Sequence, residues 1–276
     1  MKTNKRILLI SLILLSAIFI LVRYLQCLYS IDFDTGFYYG DGGLLGAAVY
    51  ILILVVLSFF WILALVLKKN KTYFFTKRMK KITPFETTML SLFMLASGAV
   101  YTHKAIVCYL ERFDAFELTF LSIGAVGFFA IGAMLPIIRR ITPAIGFAMA
   151  LPATMYILRA VNIFMHNLVI INVSDKLITL LIDLALGVIY FALGRVFSRN
   201  ETNFSRVKIC GLGLFALVLI IGDAGGKVLF WLAEAETLAR SLAVMQITMP
   251  TPAFMMDGAT LAAVLYLLGK KGESKS

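Results

Sequence analysis

The chain has 276 residues, of which 61% are hydrophobic and only 15% charged. A water-soluble domain carries about a quarter charged residues, so the composition excludes a soluble body and implies several apolar stretches of ~20 residues, each able to cross a bilayer as a helix. The formal charge of +11 does not point to nucleic acid, because the basic residues fall in the short gaps between apolar runs, where they act as topology signals.

Eight apolar segments are predicted, at roughly 7–28, 44–67, 87–110, 118–138, 143–166, 177–197, 207–222 and 253–269. None alternates with period two, as a barrel strand would, so the expectation is an all-α polytopic bundle of about eight transmembrane helices. One integral membrane domain, 1–276, accounts for the whole sequence. Cys27, Cys108 and Cys210 lie within or beside apolar runs, and no spacing suggests a disulfide framework, a metal or a cofactor. They read as packing residues.

The first segment begins MKTNKR and runs apolar from Ile7 to Val22. It has the outline of a secretory signal but no small-x-small site, and Arg23-Tyr24-Leu25-Gln26 follows directly, so it reads as an uncleaved helix. The next stretch, SIDFDTGFYYGDGG at 30–43, contains the letters of an aspartic protease and hints of a calcium loop or a phosphatase. An EF-hand needs a longer ligand ladder than Asp32, Asp34 and Asp41 supply. The phosphatase pattern needs Thr where Gly36 stands, and a soluble aspartic protease needs a β-scaffold. The stretch reads as a turn built on Asp and Gly, with Phe37, Tyr38 and Tyr39 at the interface. The loop at 68–81, KKNKTYFFTKRMKK, is a stop-transfer loop whose mixture of cations and aromatics also suits anionic lipid headgroups.

Placing the N-terminus inside puts 19 of the 26 basic residues on the inner side with three acids, Glu86, Glu201 and Glu273. Every inner gap then obeys the positive-inside rule, and both termini are expected in the cytoplasm of a bacterial plasma-membrane protein.

Ionisable residues inside spanning helices are costly and need a partner or a purpose. In the third segment Ser97, Tyr101, Lys104 and Cys108 share one face, with His103 beside it. In the fifth, Tyr156, Arg159, Asn162 and His166 form a stripe after Pro152, which is expected to kink the helix. The sixth contributes Asp183. At ~1.5 Å per residue, Lys104, Arg159 and Asp183 all lie about 9–10 Å below the outer surface, so Asp183 is expected to pair with Arg159 or Lys104. The two histidines sit on different segments without clustered acids, which makes a metal site a poor fit.

The seventh segment stops at Gly222-Asp223-Ala224-Gly225-Gly226-Lys227 and then resumes. It is either broken there or ends there. The spacing of Trp231, Leu232, Ala235, Leu238, Leu242 and Met245 favours an outer amphipathic helix at 228–247.

A catalytic alternative compares Asp183 and Ile220-Ile221-Gly222-Asp223 with the paired aspartates of presenilin-like and prepilin-peptidase-like intramembrane proteases, and Pro252-Ala253-Phe254 with their Pro-Ala-Leu element. Ile220, Ile182 and Phe254 depart from that pattern. A structural alternative makes the chain a subunit of a membrane complex, with Gly124-Ala125-x-Gly127 and Gly132-Ala133 as an exposed small-residue face.

Arg23-x-x-Gln26, Ile31-Asp32-x-x-Thr35-Gly36-Phe37, Leu151-Pro152, Leu158-Arg159, Ser174-Asp175-Lys176 and Gly194-Arg195 recur in a pattern that resembles a group of uncharacterised multi-pass membrane proteins of Clostridia-type bacteria. The resemblance supports the topology, makes the 30–43 stretch an interfacial lid over an outer cavity, and implies no activity. The residues themselves point to a non-catalytic protein with an outward-facing pocket for a small anionic or lipid-like ligand. Tyr101, Lys104, Arg159, Asn162, His166 and Asp183 are its expected lining.

Overall fold

The computed structural model describes residues 2–30, 43–69, 84–111, 114–137, 143–166, 173–198, 203–233 and 250–269. They form α1 (Lys2–Tyr29), α2 (Gly43–Lys69), α3 (Pro84–Glu111), α4 (Ala115–Ile137), α5 (Pro143–Ala148), α6 (Ala150–His166), α7 (Val173–Phe197), α8 (Asn203–Ala233) and α9 (Pro252–Gly269), with no strand among the described residues. Among the described residues seven spans are long and apolar enough to cross a membrane, with α5 and α6 together making one of them. The apolar α9, at 18 residues, is about 27 Å long. Large side chains such as Leu54, Ile62, Val126 and Phe191 are exposed on the outside of the bundle, as lipid-facing positions require. The chain is a multi-pass membrane helical bundle.

Two groups of helices make up the bundle. In one, α8 packs on α1 and α2; in the other, α4 packs on α3 and α6. α7 joins them by contacting both α6 and α8, and α9 does the same between α3 and α8. Residues 31–42, 70–83 and 234–249 lie outside the described residues, and with them most of the two loops singled out in the sequence.

Helix α8 corrects the expectation for the glycine-rich run. It neither breaks nor ends at Gly222 but continues to Ala233, so Val228–Ala233 belong to the spanning helix and not to a surface helix beginning at 228. The glycines permit close approach of α1 instead. A Cβ on Gly222 would lie 2.2 Å from Phe19, one on Gly225 2.8 Å from Ile20, and one on Gly226 2.5 Å from the Cβ of Arg23. In lipid, where both helices face equally apolar solvent, such small-residue faces drive association by van der Waals packing.

The glycines of the face expected to be exposed on α4 are likewise occupied within the chain, while Ala133 stays exposed. Gly124 packs against Met155, Gly127 against Leu151 and Pro152, and Gly132 against Leu95. Pro152 interrupts the fifth span as expected. It has no N–H to offer the Ala148 carbonyl, so the helix divides at Met149 into α5 and α6. The next bond, from the Ala153 N–H to the Met149 carbonyl, is stretched to 3.4 Å. Gly127 lets α4 nestle against this kink, which aims Tyr156 and Arg159 inward. Thr251 accepts from the Phe254 N–H at 3.4 Å and Pro252, which has no N–H to satisfy, opens α9.

Candidate functional site

Arg159 is the hub of a buried polar cluster. Its Nε donates to one oxygen of Asp183 at 2.7 Å and its Nη2 to the other, a bidentate fork. Of the two pairings that depth left open for Asp183, Arg159 makes the one that forms. Nη1 donates to the Tyr101 hydroxyl at 2.7 Å, and Nη2 also reaches Asp257 at 3.3 Å. Asp257 accepts from Tyr101 at 2.8 and 2.9 Å and from Tyr156. Both carboxylates are fully buried, while the arginine side chain keeps 13% of its surface exposed. Five helices therefore meet at one polar centre, counting the aromatic contribution of α4 described next.

The aromatic side chains lie on the inner side of this centre. Tyr156 and Tyr190 stack with centroids 5.6 Å apart, Tyr101 and Phe128 at 5.5 Å, and Phe128 meets Tyr190 edge-on at 5.7 Å. The guanidinium carbon sits 5.1 Å from the Tyr156 ring centroid and 5.9 Å from that of Tyr101, close enough for cation–π attraction. Together the four rings form a floor under the charges. One turn below Tyr101, the Ser97 and Thr260 hydroxyls are 2.9 Å apart, extending the polar seam between α3 and α9. Ser97→Ala is expected to cost about 0.6–2 kcal/mol, and Ser97→Ala with Thr260→Val to recover most of it, as read by melting in detergent.

Lys104, one turn outward from Tyr101, is partly buried and lies in the electrostatic field of Arg159, Asp257, Glu117 and Asp183. Among the described residues it has no carboxylate within ion-pair distance. Asn162 is partly buried one turn beyond Arg159 and is not a partner of Arg159, Asp183 or Asp257. His166 ends α6, and its side chain lies outside the described residues. The structure thus joins Tyr101, Arg159 and Asp183, and places Lys104 beside them.

Sequence reasoning missed Asp257, which bonds to three members of the cluster. The signal was present: five residues into an apolar run it sits about 7 Å deep, near the depth computed for the other charges. Asp257 and Thr260 also mirror Tyr101 and Ser97 across the α3–α9 seam.

A second buried cluster ties α1 to α8. Arg23, 0% exposed, donates to Asp223 from Nε at 2.9 Å and Nη2 at 2.7 Å, and from Nη1 to Gln26. Lys227, one turn along α8, donates to the other Asp223 oxygen at 2.8 Å. With α8 running on to Ala233, Asp223 lies inside the helix and not at its end, level with Arg23, which is six residues from the end of α1 and so about 9 Å deep. Asp183 and Asp223 are therefore held by different cations in different clusters. A proton-sharing acid–base pair needs its carboxyls in contact, and this arrangement gives the protease alternative no support.

Comparison with models of known protein families, with curated proteins and with solved structures returned no match for this chain.

Proposed function

We propose that this protein binds a small anionic ligand in the outer half of the bacterial plasma membrane, at the cluster formed by α3, α6, α7 and α9, and carries it across. The observation behind this reading is Lys104, a partly buried cation beside Arg159 without a carboxylate of its own among the described residues. A charge kept at that depth without a partner marks a ligand or ion pathway by default. Lys104 would take the anionic group, Arg159 would share it from below, and Tyr101 would orient it through its hydroxyl. The aromatic floor closes the site from the inner side, as a binding pocket in an alternating-access carrier requires. Assignment to a bacterial plasma membrane rests on the motif resemblance and the positive-inside pattern.

One observation favours a second reading, in which the cluster only fixes helix packing. All three nitrogens of the Arg159 guanidinium already have partners, as in a closed structural network. Lys104→Met separates the two readings. Since Lys104 breaks no ion pair, the variant is expected to change stability by under about 1 kcal/mol. A panel of acetate, succinate, benzoate and inorganic phosphate is expected to raise the melting temperature of the wild type and not that of the variant. Equal responses, or none in either, favour the structural reading.

A further inference from the structure

We propose that the ligand is a carboxylate and that it binds together with one proton, taken up by Asp257. This deepens the anion-binding reading above and rests on it.

The formal charges at the site cancel: Arg159 and Lys104 against Asp183 and Asp257. An anion entering such a cluster alone leaves one uncompensated negative charge in a low-dielectric interior, at a cost of several kcal/mol. A proton arriving with it keeps the site neutral. The geometry distinguishes the two carboxylates as acceptors of that proton. Asp183 holds Arg159 through the bidentate fork, with Nε at 2.7 Å. Asp257 holds it through one longer contact of 3.3 Å, so the Asp257–Arg159 contact is the one a ligand can displace. A carboxylate can take the vacated place on Nη2 with the same planar geometry that Asp257 now offers. Asp257 keeps its two tyrosine partners, Tyr101 and Tyr156, and these hydroxyls can rotate from donating to accepting when the carboxyl gains a hydrogen. The proton comes from water on the side where Arg159 is exposed and ends on an Asp257 Oδ, with no other bond made or broken.

The groups facing Asp257 come from every neighbouring helix. They are Tyr101 and Lys104 on α3, Tyr156 and Arg159 on α6, and Asp183 and Tyr190 on α7. From α8 the neighbour is apolar, with Ile220 against Gly258, and the charges Asp223 and Lys227 are engaged with each other and Arg23. Glu117 on α4 acts on Lys104 from the outer end. None of these replaces the proton, because each already belongs to the balanced set or lies at its rim.

The test is isothermal titration of the full-length protein in detergent with acetate, succinate, benzoate and inorganic phosphate, each in two buffers of different ionisation enthalpy. Expected is close to one proton taken up per carboxylate bound. The Kd should rise about tenfold per pH unit wherever the free cluster is ionised and the liganded one holds its proton. Asp257→Asn is expected to bind the same carboxylate with no proton uptake and a flat pH dependence, since the site then carries a permanent positive charge. Carboxylate binding by the wild type with no proton uptake overturns this proposal and leaves the anion site standing. Binding of phosphate but of no carboxylate overturns the ligand class. No binding of any anion overturns this proposal and the reading beneath it. The wild-type proton count decides the matter even if Asp257→Asn does not fold.

Discussion

Arg159→Met is expected to lower stability by about 3–5 kcal/mol, measured by unfolding in a mild detergent, because it strands two buried carboxylates. Among the described residues Asp183 has no partner other than this guanidinium, and Asp257 would retain only its tyrosines there. The size of the effect comes from the unpaired acids and not from the worth of the arginine contacts. The triple variant Arg159→Met, Asp183→Leu, Asp257→Leu should therefore recover most of the loss, since an apolar replacement of a whole buried ion cluster is often neutral or better. Failure of the triple variant to recover would mean that the tyrosine hydroxyls, left without Asp257, carry a comparable penalty.

Gly226→Ala is expected to cost about 3 kcal/mol, near the upper end for overpacking. A methyl group there meets the Cβ of Arg23 at 2.5 Å and backbone atoms of Ile20 and Tyr24 at 3.1 Å. Neither backbone atom can swing aside as a side-chain tip would, so α1 must move away and loosen the Arg23–Asp223 pair. Gly211→Ala on the same helix is the control. Its Cβ would meet neighbours no closer than 3.4 Å, an ordinary contact. Alanine also has the better helix propensity by about 1 kcal/mol, so this variant should be neutral or slightly more stable. The pair of melting curves separates local packing from a general intolerance of substitution in α8.

The contrast at α8 shows where the sequence was legible. Apart from the far end of α8, long apolar runs give the spanning helices to within a few residues, because lipid leaves the backbone no alternative to internal hydrogen bonds. Depth arithmetic then brought Arg159 and Asp183 together. Residues 222–227 are misleading because a Gly-Asp-Ala-Gly-Gly-Lys run in water is turn punctuation. Between two membrane helices the same glycines are a groove, and Asp223 accepts from Arg23 across it and from Lys227 along its own helix. Nothing local in the run announces the partner, which is 200 positions away. Asp257 was hidden differently. It is a single acid three residues past Pro252-Ala253-Phe254 in an otherwise apolar run, with no second polar residue on a helical spacing before Thr260. Its presence changes the electrostatics of the site from net positive to balanced.

That balance makes Lys104, and not Arg159, the informative residue. Removing Arg159 disturbs folding and binding together, whereas removing Lys104 disturbs no ion pair among the described residues. The measurement that bears most directly on the proposed binding site is native mass spectrometry of the protein extracted from its own membrane, beside Lys104→Met prepared identically. A small bound mass carried by the wild type and missing from an equally stable variant is the predicted result. The same bound mass on both proteins, or a bare wild type that also gains none when the anion panel is added, would contradict it and leave the Arg159 cluster as a fastener between helices.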